Sequence, residues 1–326
     1  MLSILSKLFY SFLTLFGVVT IVFFLFNVLP GDPAQMMLDQ KEDSQQLEQI
    51  KKKYGFNLPI LSQYLLYLND LSPISYHSLN NEDLSFFSEN KYFGFSLVKN
   101  SNFIVAIKFP HLRTSYQKRG KKVSKVIYET LPNTILLAIS AVSISVFFGL
   151  ILGVISAVYF NTWIDRWLQL LSTIGMSVPS FFSAILFSWF FGFLYHQITG
   201  LNMTGSLYQM DDYGEERLIM LKNLILPSIV LGIRPIAVII QLFRSSLLDV
   251  LSQDYIKTAY SKGLSKFEVI YRHAIKNALN PVITAISGWF ASMLAGSVFV
   301  EYIFGWKGMG KEIVNSINSL DIPVII

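Results

Sequence analysis

The chain has no cysteine, which excludes disulfides, thiolate zinc sites and cysteine nucleophiles. Its four histidines, His77, His111, His196 and His273, are scattered with no pair at helical spacing, so packed or solvated imidazoles are expected and a metal site is not. Charged residues make up only 14% of 326 positions, and the net charge of +5 is spread over separate loops. Nucleic acid is therefore not an expected partner, because tracking phosphates needs clustered Lys and Arg on one face. No Ser, His and Asp grouping and no pair of acids within an apolar stretch suggests catalysis. What the chain has in abundance is apolar: 52% hydrophobic residues, including 27 Phe, the composition of a membrane protein.

Phe9 to Leu29 is uncharged and about 30 Å long as a helix, enough to cross a hydrocarbon core. It exceeds the apolar part of a cleaved signal peptide and no small-x-small cleavage site follows, so it reads as a retained span. Pro30, Gly31, Asp32 and Pro33 stop it. Residues 34–129 then turn polar, a loop region of about a hundred residues, longer than a simple connection. Within it Gln45 to Tyr54 and Gln63 to Leu71 read as helices, with a turn between them from Gly55 to Ile60. The part from Ser72 to Lys125 reads as an insertion of unknown purpose.

Four more apolar segments are long enough to span: Ile135 to Tyr159, Trp167 to Tyr195, Leu224 to Leu251 and Pro281 to Val300. Leu131, Pro132, Asn133 and Thr134 lead into the first, and Trp163, Ile164, Asp165 and Arg166 turn it into the second, a helical hairpin. Small residues punctuate the spans: Gly149, Gly153, Ser156 and Ala157; Gly175, Ser177, Ser180 and Ser183; Gly288, Ala291, Ala295 and Gly296. Lipid tails are as apolar as the helices, so close packing at such residues must drive association into a bundle. Pro179 and Pro235 each remove a helical hydrogen bond, giving kinks that serve either as pathway-lining hinges or as packing features.

Between the last two spans lies a charged, amphipathic stretch from Asp254 to Pro281. Tyr255 to Lys262 reads as a helix capped by Asp254, and Gly263 fits the left-handed position that ends one. Ser265 and Glu268 have capping-box spacing, so a second helix starts at once. Leu264, Phe267, Tyr271, Ala274 and Ala278 form an expected apolar stripe. Ala259 and Gly263 keep one face shallow, so that a partner can approach the backbone. Caps and stripe alone fit a docking segment or an amphipathic surface helix.

This stretch resembles the cytoplasmic coupling segment, the "EAA" loop, of ABC-importer permeases in the dipeptide, oligopeptide and nickel branch. The positions that carry the resemblance are Asp254, Tyr255, Thr258, Ala259, Lys262, Gly263, Leu264, Arg272, His273, Ala274, Asn277, Ala278 and Pro281. Where the pattern opens Glu-Ala-Ala, this chain has Lys257, Thr258 and Ala259, so a role for an opening Glu does not transfer. The LPGDP exit of the first span, the stretch with Tyr54, Gly55, Pro59, Gln63 and Tyr64, and Phe93 to Ser96 resemble the same branch. The resemblance implies an all-α polytopic membrane protein, a type I permease bundle with an enlarged extracytoplasmic loop after the first span. It implies residues 1–30 as the first transmembrane helix, 31–130 as the extracytoplasmic region and 131–326 as the permease core. It further implies one more spanning helix after Asp321 to Ile326, so a truncated chain is expected.

The implied function is that of a permease subunit importing peptides, in a bacterial inner membrane. The implied partners are a second permease subunit, two ATP-binding subunits and an extracytoplasmic substrate-binding protein. ATP hydrolysis would belong to the ATP-binding subunits, with no cofactor in this chain. A permease for nickel or another small solute, and a membrane-anchored receptor or scaffold using the outer loop, are the alternatives. Lys257, Lys262, Lys266, Arg272 and Lys276 favour a cytoplasmic coupling loop, whereas Lys118, Arg119, Lys121, Lys122 and Lys125 pull the large loop the same way. Five spans put these loops on opposite faces; long loops escape the positive-inside rule, so the short loop decides and the N-terminus lies inside.

The candidate coupling residues are Asp254, Tyr255, Thr258, Ala259, Lys262, Gly263, Leu264 and Phe267, and the candidate pathway residues Pro179, Arg234 and Pro235. An arginine inside a span faces protein or water, so Arg234 either lines a pathway or pairs with a neighbouring carbonyl or acid. Arg244, nearer the span end, is expected to snorkel. Gly305 to Lys311 spells seven positions of a P-loop, but Glu312 stands where Ser or Thr should hold Mg²⁺, and the context is a spanning helix rather than a strand. A nucleotide site is rejected there; by resemblance, Glu301, Phe304, Trp306, Gly308 and Gly310 mark an outer loop. Asp211, Asp212, Glu215 and Glu216 read as a solvated loop, or as a contact for a binding protein.

Overall fold

The computed structural model describes residues 2–28, 32–38, 44–88, 91–118, 120–210 and 217–326. Pro30, Gly31, Arg119 and the acidic loop with Asp211, Asp212, Glu215 and Glu216 lie outside them, as do the side chains of Ala295 and Gly296. The chain divides into two compact units, residues 1–128 with 315–326, and residues 129–314.

In the first unit the uncharged N-terminal run forms α1 (Leu2–Val28), exposed along most of its length. Phe23 is buried against the rings of Tyr64 and Tyr67. Asp32 caps α2 (Pro33–Met36), where Pro33 is tolerated in the first turn. The two expected helices of the loop follow as α3 (Ser44–Tyr54) and α4 (Ile60–Leu71), separated by Gly55 at φ +75°.

The stretch without a sequence reading holds a sheet: β1 (Ile74–Ser78), β2 (Gly94–Lys99) and β3 (Phe103–Lys108), antiparallel with β3 in the centre. The alternation in β3 buries Ile104, Ala106 and Lys108. Lys108 is held by the backbone carbonyls of Asp70 and Ser72. The Asp70 carboxylate accepts from Arg113 Nε at 2.7 Å and from the Tyr92 hydroxyl at 2.8 Å. Burial pushes this carboxyl up, but Arg113, Lys91 and these hydrogen bonds outweigh it and hold it below the usual carboxylate range. Burial likewise lowers His111, beside Tyr92, to about 4. At the other end of the unit, the buried Asp321 accepts from the Tyr116 N–H at 2.8 Å and from the Ser115 hydroxyl.

The second unit opens within α5 (Val123–Val158), which begins earlier than the expected span and runs through Pro132. A hairpin leads into α6 (Trp163–Ser177). The segment expected as one kinked span from Trp167 to Tyr195 is instead broken: α6 and α7 (Ser180–Phe187, continued by a π-helical stretch to Leu194) meet at 103°. Pro179 is not inside a helix but occupies the N-cap of α7, because its ring and missing N–H fit a helix start and not an interior. After α8 (His196–Thr199) and a hairpin of β4 (Tyr208–Met210) and β5 (Arg217–Ile219) comes α9 (Lys222–Leu251), continuous through Pro235.

α9 is the spine of this unit. Ile239, Phe243 and Leu247 are buried on it, and Gly149 and Gly153 of α5 face Ile239 and Phe243. A methyl group added at Gly149 would stand 2.6 Å from the Ile239 side chain, which is why a small residue is required there. Ser145 completes the contact by donating to the Gly232 carbonyl at 3.0 Å. Gly288, by contrast, faces open space within this chain.

The remaining elements are α10 (Asp254–Ser261), α11 (Lys266–Glu268) with a π-helical turn over Val269–Ala274, α12 (Ile275–Gly296), α13 (Val298–Phe304), α14 (Met309–Asn318) and α15 (Ile322–Ile325). α1, α5 and α9 are long and apolar enough to cross a membrane, and the two bent pairs raise the number to five if each is one span. The class is mostly helical and polytopic, with the β1 to β3 sheet and the β4 to β5 hairpin added.

Candidate functional site

The elbow between α9 and α12 is built from two local caps. The N-cap position of its first helix is Gln253, which makes no side-chain capping bond, rather than Asp254; Asp254 lies one residue inside and pairs with Lys257 at 2.8 Å. At its end Gly263, at φ +80°, donates to the Tyr260 carbonyl at 3.0 Å and Leu264 to that of Ala259 at 3.4 Å, the paired bonds of a Schellman turn. Ser265 and Glu268 then form the expected capping box: the Glu268 N–H donates to Ser265 Oγ, and the Ser265 N–H to Glu268 Oε2.

The expected apolar stripe does not form one face. The π-helical turn over Val269–Ala274 shifts the helical phase, so Val269, Ala274 and Ala278 are buried while Phe267 and Tyr271 are 75% and 66% exposed. Those two rings stack on each other with centroids 5.9 Å apart. Ala259 does not offer a shallow outer face either: it is 6% exposed and joins Ile256, Phe243, Leu247 and Ala274 in the core of its own unit. The small side chain lets α10 lie close to its own bundle. Of the eight expected coupling residues, Asp254, Tyr255, Thr258, Lys262, Gly263 and Phe267 face outward, Leu264 is half-buried and Ala259 is inside. Tyr255 accepts from Asn277 at 2.8 Å, tying α10 to α12.

Arg244 does not snorkel. Its Nε and Nη2 donate to the two oxygens of Asp165, each at 2.7 Å. Asp165 is 3% exposed and accepts further bonds from Ser156 Oγ at 2.6 Å and the Asn161 N–H at 2.9 Å. The pair fastens the α5 to α6 hairpin to α9. Sequence reading passed over Asp165 as a turn residue; the signal was an acid in a tight hairpin and an arginine near the end of another span.

Glu301, expected in an outer loop, instead lies in α13 (Val298–Phe304). Its side chain is fully buried; Oε1 accepts from Thr134 Oγ1 at 2.8 Å and Ser297 Oγ at 2.7 Å, and Oε2 from the Lys311 N–H at 3.2 Å. Thr134 in turn accepts from the Met309 N–H at 2.8 Å. A Cβ at Gly308 would collide with Glu301 Oε2 and Thr134 Oγ1, and one at Gly310 with the Val298 backbone while crowding Glu301 Oε2, so these glycines make room for the chain's own carboxyl group. The P-loop-like string is thus the wall of an internal socket, anchored by Trp306, whose Nε1 donates to the Asn133 carbonyl at 3.0 Å.

The third feature is a cavity of about 90 Å³ at the α6 to α7 break, lined by Gly175, Val178, Ser180, Ser183, Arg234 and Trp289 among others. Among the described residues, Arg234 Nε is buried and donates to no acceptor. Pro179 sits between two lining residues and is itself exposed, and Pro235 is buried in packing. The coupling and pathway residues therefore fall in two places, the elbow and the break. No metal-binding group of His, Asp and Glu occurs among the described residues.

Residues 149–326 match the family described as "Binding-protein-dependent transport system inner membrane component", and residues 1–79 match its N-terminal companion, "Binding-prot-dependent transport system membrane comp, N-term". The chain is 32% identical to the dipeptide transport system permease protein of Alkalihalophilus pseudofirmus, over 95% of this chain and 86% of that protein. It is also 32% identical to the oligopeptide transport system permease protein of Bacillus subtilis, over 96% and 86%. With the glutathione transport system permease protein of Escherichia coli it shares 30% identity over 96% and 85%. A chain of the MetNI methionine ABC transporter, solved in inward-facing conformations, overlaps 62% of this chain and 89% of its own length at a TM-score of 0.47 and 14% identity. The family match covers more than half of the sequence and includes the elbow, the break and the Glu301 side of the socket, and the chain belongs to the binding-protein-dependent inner membrane components, as a permease subunit of an ABC importer.

Proposed function

We propose that this permease imports peptides and that the elbow formed by α10 and α11 receives the stroke of an ATP-binding subunit. Supporting the cargo are the dipeptide, oligopeptide and glutathione permeases to which the chain is similar. Supporting the coupling role is the two-sided build of the elbow. Ile256 and Ala259 anchor it in the core around Phe243 and Leu247, while Tyr255, Lys262, Phe267 and Tyr271 are left outside. An aromatic pair stacked in solvent gains little for the isolated chain, and it supplies a rigid apolar contact for a partner. The assembly would hold a second permease subunit, two ATP-binding subunits and an extracytoplasmic binding protein, with the N-terminus and the elbow in the cytoplasm. ATP-driven closure would then rock the spans between inward and outward openings, with Arg234 on the path at the α6 to α7 break.

The observation that carries the reading is the exposed Phe267 and Tyr271 pair on a doubly capped elbow. Co-purification in detergent tests it. The wild-type chain retains an ATP-binding subunit, and Gly263→Trp and Phe267→Asp lose it. Phe267→Asp keeps the Schellman turn intact, so its loss reports the contact rather than backbone strain. Retention of the ATP-binding subunit by both variants would reject the elbow as the docking surface.

A further inference from the structure

We infer that the cavity at the α6 to α7 break is an anion subsite, with Arg234 as its cation, that takes the carboxylate of the cargo; the identity of that cargo rests on the peptide-import reading. Three observations converge there. Arg234 is a permanent charge within a candidate span, and its buried Nε finds no acceptor among the described residues. Burying such a donor without a partner is unfavourable, and an arginine inside a bundle is normally answered by an acid, as Arg244 is by Asp165 on the same helix. Space is present beside it: the cavity of about 90 Å³ has room for a carboxylate-sized group, not for a whole peptide.

The wall opposite is the start of α7. The helix is capped by Pro179, which offers no side-chain hydrogen bond, so its first N–H groups have no acceptor within the helix. Val178, Ser180 and Ser183 bring this terminus to the cavity, and the Ser183 hydroxyl is a further donor. A guanidinium, a helix N-terminus and serine hydroxyls all present positive or donor groups, and none of the lining side chains is an acid. A discontinuous span whose half-helix start points into a cavity is also the arrangement by which membrane proteins meet an anionic group at depth. Charge, donors and space together fit one carboxylate, held through charge-assisted hydrogen bonds.

The test uses the assembled importer in detergent, treated with phenylglyoxal, which modifies unpaired arginines, with modification at Arg234 and Arg244 read by mass spectrometry. Arg234 is expected to react and Arg244, engaged by Asp165, to resist. Acetate and trialanine should each lower Arg234 modification by about tenfold at saturation, as expected for a charge-assisted contact, whereas trialanine amide should not. An unreactive Arg234 in the unliganded importer overturns the inference, since its guanidinium is then already engaged. Equal modification with and without both carboxylates overturns it too. Uptake of labelled trialanine into vesicles carrying the importer tests the peptide reading separately. No uptake together with acetate protection keeps the anion subsite and removes the peptide assignment. Uptake with protection by acetate alone excludes the cargo from this site and overturns the proposal.

Discussion

Arg234 and Arg244 stand on one helix, about 15 Å apart along its axis, and have opposite surroundings. Arg244 is bound at both oxygens of an acid that is itself held by a hydroxyl and a backbone N–H. Arg234 has a cavity, an uncapped helix start and no acid. A buried charge with every partner in place holds helices in register; a buried charge with space beside it is available to something that arrives. The same contrast separates Asp70 and Glu301, both fully engaged, from the solvent-facing Phe267 and Tyr271 pair.

Removing the acid from the paired arginine is the most severe way to probe this comparison. Asp165→Ala leaves Arg244 without its counter-charge and should cost about 3–5 kcal/mol in thermal unfolding of the purified chain. Replacing both partners, Asp165→Leu with Arg244→Met, should recover most of that loss, because no uncompensated charge remains. Equal destabilisation by the single and double variants would show that packing, not pairing, is what matters. Gly149→Leu tests the helix contact that this pair supports, and the clash with Ile239 should cost about 1–3 kcal/mol.

Acid should discriminate the engaged groups of the first unit. His111 lies at about 4 in the folded chain, below its unfolded value of about 6.5. Its contribution is therefore complete above about pH 6.5 and is lost as pH falls toward 4. Asp70 is also depressed, so its contribution is complete above about pH 4 and is lost below that, as pH passes its folded value. His77, buried in β1, is lowered by burial as well. Hydrogen exchange in the β1 to β3 sheet should thus accelerate in two steps on acidification, and His111→Gln should shrink the upper one while His77 keeps the rest. The smallest effect is expected at the arginine without an acid: Arg234→Met breaks no hydrogen bond or ion pair among the described residues and should shift unfolding by less than about 0.5 kcal/mol. A large loss of stability there would erase the contrast with Arg244.

The sequence was most legible where structure is encoded locally. Gly263, Ser265 and Glu268 specify the turn and the cap by themselves, and both form. The long apolar runs likewise announce α1, α5 and α9. The phase of the elbow was not legible, because a π-helical turn rotates every later side chain and leaves no periodic signal in Leu264 to Ala278. The break at Pro179 was read as a kink because one proline permits both outcomes. Asp165 with Arg244, and Glu301 with Thr134, are joined across long separations, which spacing along a chain does not report. The β1 to β3 sheet was missed for a further reason: β2 is exposed along its whole length and shows no alternation of burial.

The socket around Glu301 has a chemical consequence. Gly308 and Gly310, with Ser297, Thr134 and the Lys311 N–H, make a seat shaped for two oxygens, and the chain fills it from within. Glu301→Ala would empty that seat without filling the space. The variant should then be open to chemical rescue, its unfolding temperature rising with added formate or acetate and not with chloride, while the wild type responds to none of them.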